Sequence, residues 1–152
     1  MKTLVLGIGN TLLGDDGVGI HAARELATKV NRDDVAILDI GTDGLNLLEV
    51  MMGYDRMIVI DAIVTENADI GNIYCLKPEQ LYTPSGFSVS PHHFNLATTL
   101  EIGRKLFPGE IPEDVTVFAV DTIEATEISE KMTDKVQDAL PVLVSRVLEH
   151  LN

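Results

Sequence analysis

The chain has a single cysteine, Cys75, which rules out an internal disulfide framework and any cluster of thiolates around zinc. Cationic side chains are scarce. Eleven Lys and Arg stand against 24 Asp and Glu, for a net charge of −13. A nucleic-acid binder needs a cationic face to displace phosphate counterions, so this balance argues against one. A cation, or a partner with a basic segment, fits better. Long apolar runs are missing too. No stretch approaches the ~20 apolar residues of a membrane span. The apolar N-terminal run is broken by Gly7, Gly9, Asn10 and an aspartate pair too early for a signal peptide. A cytoplasmic protein is expected. Repeats, low-complexity tracts and linkers are absent, so residues 1–152 read as one domain. A chain of this length buries roughly 68–70% of its unfolded surface and needs no covalent staple.

What is present alternates. "TLVLGI" from Thr3 is a continuous apolar run, as in a strand covered on both faces. A helix is expected from about Asp16, with Val18, Ala22, Leu26 and Val30 at helical spacing. "VAILDIG" reads as a second buried strand, "GLNLLEVMMG" as a helix closed by Gly53, and "RMIVIDA" as a third strand. "NIYCLKP" reads as an edge strand stopped by Pro78, with Cys75 expected as a small core residue. Glu79 to Ser90 lacks periodicity and reads as a loop. Ser90 and Pro91 then form a helix start. "VTVFAV" is a further strand. A last helix runs from Thr133, with Val136, Leu140, Leu143, Val147 and Leu151 on one face. Pro141 inside it is expected to kink or divide it, at roughly 3 kcal/mol if unrelieved. Such alternation predicts an α/β fold: a three-layer α/β/α sandwich on a mostly parallel twisted sheet, with one antiparallel edge strand.

Ligands in such sheets collect beyond the carboxyl ends of the strands, where the strand order reverses. Asp16 follows the first strand and Asp61 ends the third. With strand order 2-1-3, both carboxylates face one crevice. Each has a plainer reading: Asp16 as a helix cap, Asp61 as a cap of the next segment or a solvated strand end. Of the two histidines after Pro91, His92 shares the stripe of Leu96, Leu100 and Gly103, while His93 sits a step round the helix. His21 is mid-helix and reads as ordinary. Together, Asp16, Asp61 and His92 make an oxygen-and-nitrogen set suited to a divalent metal such as nickel or zinc. Three ligands leave positions open, and the lack of thiolates points to exchangeable binding.

A nucleotide site is the rival. Gly7 and Gly9 match the start of G-x-G-x-x-G, but Leu12 takes the third glycine's place. Asp39 lies near where a ribose-binding acid would sit. Against this, Asp15 and Asp16 put negative charge where a pyrophosphate needs helix N–H groups. No G-x-S-x-G elbow, H-E-x-x-H helix or Walker lysine occurs.

At these same residues the chain resembles the hydrogenase maturation endopeptidases over nearly its whole length. "GIGNTLLGDDGVG", "DIGTDGLNLL", "IVIDA" and "SPHHFNL" match four motifs of that family in order. The resemblance implies an aspartyl-type peptidase that removes a C-terminal extension from the [NiFe]-hydrogenase large-subunit precursor once nickel is in place. It implies metal contact at Asp16, Asp61 and His92 and a cleft lined by Gly41 and Thr42; for the carboxylate that activates water, Asp16 is the preferred residue. The nickel would arrive within the substrate, and the site would accept other divalent cations. A Rossmann-like nucleotide enzyme and a non-catalytic nickel carrier are the alternatives. Metal-bound water is an alternative to Asp16 as the catalytic group.

Overall fold

The computed structural model describes residues 1–41, 47–82, 87–88 and 96–152. The described residues form six strands: β1 (Thr3–Ile8), β2 (Val35–Ile40), β3 (Arg56–Thr65), β4 (Ile73–Leu76), β5 (Phe87–Ser88) and β6 (Asp114–Asp121). The helices are α1 (Val18–Lys29), α2 (Leu47–Met51), α3 (Leu96–Leu106) and α4 (Asp134–Leu151). The strand order is β2-β1-β3-β6-β4. The first four strands of that order run parallel, and β4 pairs antiparallel with β6. A mostly parallel sheet with an antiparallel edge, covered by helices, is the expected fold. The two-residue β5 adds to β3 off the main path, also antiparallel.

The unbroken apolar runs follow from burial on both faces. Leu4, Leu6 and Ile8 of β1 join Met57 and Val59 of β3 against α2 and α3. Val5, Ile58, Ile60 and Phe118 face the other way and meet Val18, Ala22 and Leu26 of α1 and Val136, Leu143 and Val147 of α4. Each fully buried aliphatic side chain contributes about 1.5–3 kcal/mol. No described helix is long and apolar enough to cross a membrane.

Several expectations are corrected. β2 is an edge strand and only half-buried, with Leu38 exposed. Cys75 is exposed on β4, outside the core. The loop expected from Glu79 contains β5 and a 3-10 turn over Pro78–Tyr82. The Ser90–Pro91 helix start lies outside the described residues. Pro141 does not divide α4, which runs unbroken through it. Leu140, expected on the buried face, is only partly buried.

Candidate active site

The site is built where β1 stops and β3 continues. The pairing of β1 with β3 ends at Gly7 and Ile60. Asp61 is the next residue on β3, opposite Ala119 of β6. This is the switch point: β2 lies on one side of β1 and β3 on the other.

Two glycines bring the other carboxylate to this point. After β1 the chain turns back, and a 3-10 turn over Gly14–Gly17 carries Asp16 into the start of α1. A Cβ at Gly9 would lie 2.0 Å from the Asp16 carbonyl oxygen. A Cβ at Gly19 would lie 2.3 Å from the Ile60 carbonyl oxygen and 2.6 Å from that of Ile8. Only glycine lets the turn and the helix start press onto the strand ends this closely. Gly9 thus lets the turn fold back on Asp16, and Gly19 lets the helix start press onto the Asp61 strand.

Asp16 does not cap α1. The N-cap position is Gly17, with no side-chain capping bond. Asp16 instead lines a small pocket of about 60 Å³ with Leu13, Ala62, Val64, Thr122 and Ile123. Burial pushes the Asp61 carboxyl well above the usual carboxylate range, and the Asp16 charge raises it further. A hydrogen bond from the Ala62 amide, 2.8 Å from Asp61 Oδ1, acts in the opposite direction. Two anionic groups sharing a desolvated crevice are stabilised by a cation. The donor set therefore fits a divalent metal. Among the described residues no group of three potential ligands occurs. The third expected ligand, His92, lies outside them, as do His93 and Thr42.

Gly41 follows β2 and lines a larger crevice of about 390 Å³ across the Gly9–Leu12 turn. Asp39 is also there, but its Oδ2 is engaged by Arg24 Nε at 2.7 Å. The position a ribose-binding acid would take thus holds a surface ion pair. His21 is half-buried on α1, its Nε2 without a hydrogen-bond partner. Burial and Arg24 lower its pKa, as expected of a packed, neutral imidazole.

Sequence reasoning placed Asp16 in the site but gave its neighbour Asp15 no separate role. Asp15 points away from the pocket and is 3% exposed. Its Oδ1 accepts from the Thr133 amide at 2.7 Å, and its Oδ2 accepts from Thr133 Oγ1 at 2.9 Å and the Ile123 amide at 3.4 Å. It fastens the segment between β6 and α4 as one wall of the Asp16 pocket. The only signal in the sequence was the adjacency itself, since one of two neighbouring residues in a tight turn must face inward.

A model of the hydrogenase maturation protease family matches residues 20–150. The hydrogenase 2 maturation protease of Escherichia coli is 37% identical over 121 residues, covering 79% of this chain and 73% of that protein. The solved structure of the hydrogenase maturating endopeptidase HybD from E. coli superimposes with a TM-score of 0.83 at 32% identity, covering 99% of this chain and 92% of HybD. HybD from Thermococcus kodakarensis, at 23% identity, shares the fold with a TM-score of 0.79 over the full length of both chains. With the family matched over most of its length, this chain belongs to the hydrogenase maturation proteases, a family of peptidases.

Proposed function

We propose that the protein removes the C-terminal extension of a nickel-loaded [NiFe]-hydrogenase large-subunit precursor by hydrolysing one peptide bond. The observation that carries this reading is the convergence of Asp16 and Asp61 at the β1–β3 switch point, in a family of maturation proteases. In this reading Asp16, Asp61 and His92 recognise nickel already held by the precursor, so the metal belongs to the substrate. Bound there, nickel would polarise what it touches and fix the position of the extension.

The remaining chemistry falls to the chain. Water adds to the scissile carbonyl carbon, and a carboxylate, Asp16 in our assignment, takes its proton. The C–N bond then breaks, and that proton leaves with the new amine. Asp61, whose carboxyl is raised above the usual range by burial and by the Asp16 charge, serves as an anionic ligand once a cation offsets both. Gly41 and Thr42 are assigned to the cleft that receives the substrate. We place this work in the cytoplasm, a reading supported by the single cysteine and the acidic composition.

The test mixes the protein with nickel-loaded large-subunit precursor and weighs the product. Nickel-dependent loss of one C-terminal fragment is the expected result. An intact precursor would overturn the reading in favour of a carrier. Asp16→Asn, Asp61→Asn and His92→Ala are each expected to impair processing, and His93→Ala much less.

A further inference from the structure

The segment from Thr122 to Met132 contains no helix or named strand, yet it is firmly held. Asp15 binds it at Ile123 and, just past its far end, at Thr133. Midway, the Gly14 amide donates to the Ser129 carbonyl at 2.7 Å, and the Ser129 amide donates to the Leu12 carbonyl at 2.8 Å. The segment is thereby fixed to the turn that carries Asp16.

Such fixing does not bury its apolar side chains. Ile128 is 80% exposed, Ile123 is 53% exposed, and Leu12 on the facing turn is 48% exposed. Ile123 lines both the Asp16 pocket and a neighbouring crevice of about 220 Å³, so the segment forms a partition between the two. Ile123 stands in water at the Asp16 pocket, and Ile128 and Leu12 are exposed on the same segment and on the turn bonded to it; exposed aliphatic side chains so placed mark a contact surface. The charge is one-sided as well. Glu124, Glu127 and Glu130 are exposed, and Lys131 is the one cation in 122–131.

We infer that Leu12, Ile123 and Ile128, edged by Glu124, Glu127 and Glu130, form the docking surface for the segment of the substrate protein that carries the scissile bond. The surface selects a segment with apolar side chains and net positive charge. Its complement follows from the two properties on display: aliphatic area that gains by being covered, and carboxylates that penalise an acidic partner. The segment is preorganised, so docking orders little of the enzyme. This inference rests on the peptidase reading above.

Steady-state processing of nickel-loaded precursor tests it. Ile123→Ser combined with Ile128→Ser is expected to raise KM about tenfold with kcat within about twofold of wild type. Glu124→Gln, Glu127→Gln and Glu130→Gln combined are expected to raise KM and to flatten its dependence on salt. Leu106→Ser, at an exposed position in the last turn of α3, leaves KM unchanged. Thermal unfolding of the Ile variant should match wild type, since both side chains are already exposed. Unchanged KM in the Ile and Glu variants, with wild-type processing intact, overturns the docking surface and leaves the peptidase reading standing. An equal rise in Leu106→Ser also overturns it. A wild-type protein that processes nothing removes both.

Discussion

Asp15 binds both the amide and the hydroxyl of Thr133, a residue 118 positions further along the chain. The adjacent Asp16 is left to line the pocket. One carboxylate holds the wall and its neighbour faces the pocket. Asp15→Asn exchanges a buried, multiply bonded acceptor for an amide that cannot accept from every donor. It is expected to cost about 2 kcal/mol, which lowers Tm by roughly 4–8 °C for a chain of this size. Asp16→Asn is expected to leave Tm at or slightly above wild type. Calorimetry of the two variants checks this, and equal losses would contradict the division of roles.

Asp61 gives a pH signature. Its carboxyl, raised well above the ordinary 3.8, holds a proton more tightly in the folded chain than in the unfolded one. The stability it contributes is therefore fully present below about pH 3.8 and is lost as pH rises through the folded pKa. Asn is neutral at every pH. In chelator, Asp61→Asn should match wild type near pH 3.5 and become the more stable protein as pH approaches 8. Thermal melts across that range read the difference. A constant gap would mean that Asp61 has no shifted titration.

Backbone approach at Gly19 is testable against a glycine without such a role. Alanine at Gly19 forces the α1 start away from the carbonyls of Ile60 and Ile8, at about 2–3 kcal/mol. Gly53 has φ 88° and nothing within 4 Å of an added Cβ. Its alanine variant should cost about 1 kcal/mol, from backbone conformation alone. Urea unfolding separates the two. Only Gly19→Ala should also depress processing, because Ile60 is the neighbour of Asp61.

Pro141 sits at an exposed position within α4 and offers no N–H to the Gln137 carbonyl. Pro141→Ala supplies that donor in a helix that is already continuous. It should raise stability by about 1 kcal/mol, seen as a higher urea midpoint at unchanged m-value. A lower midpoint would mean that the proline's restriction of the unfolded chain outweighs the missing bond.

Parts of the molecule were legible for simple reasons. β1, β3 and β6 read as buried strands because both faces of each must be apolar, and their alternate residues do divide between the two helical layers. The same reading failed for β2. "VAILDI" has the composition of a central strand but lies at the sheet edge, and edge position depends on strand order rather than residue type. Cys75 failed likewise, since the outward side of an edge strand is set by register. β5 is two residues long, too short for any period to register.

By itself, the sequence determined the chemistry and the order of its parts: carboxylates after the first strand and at the end of the third, glycines between them, and alternating elements that must stack in layers. Those properties belong to residue type and spacing, and local physics reads both. Tertiary structure alone decided what the neighbouring Asp15 holds and that a segment more than a hundred residues later walls the pocket. It also decided how strongly the neighbouring charge and burial shift Asp61. The reason is that hydrogen-bond partners and local dielectric are set by whatever the fold brings close, and chain separation places no limit on that.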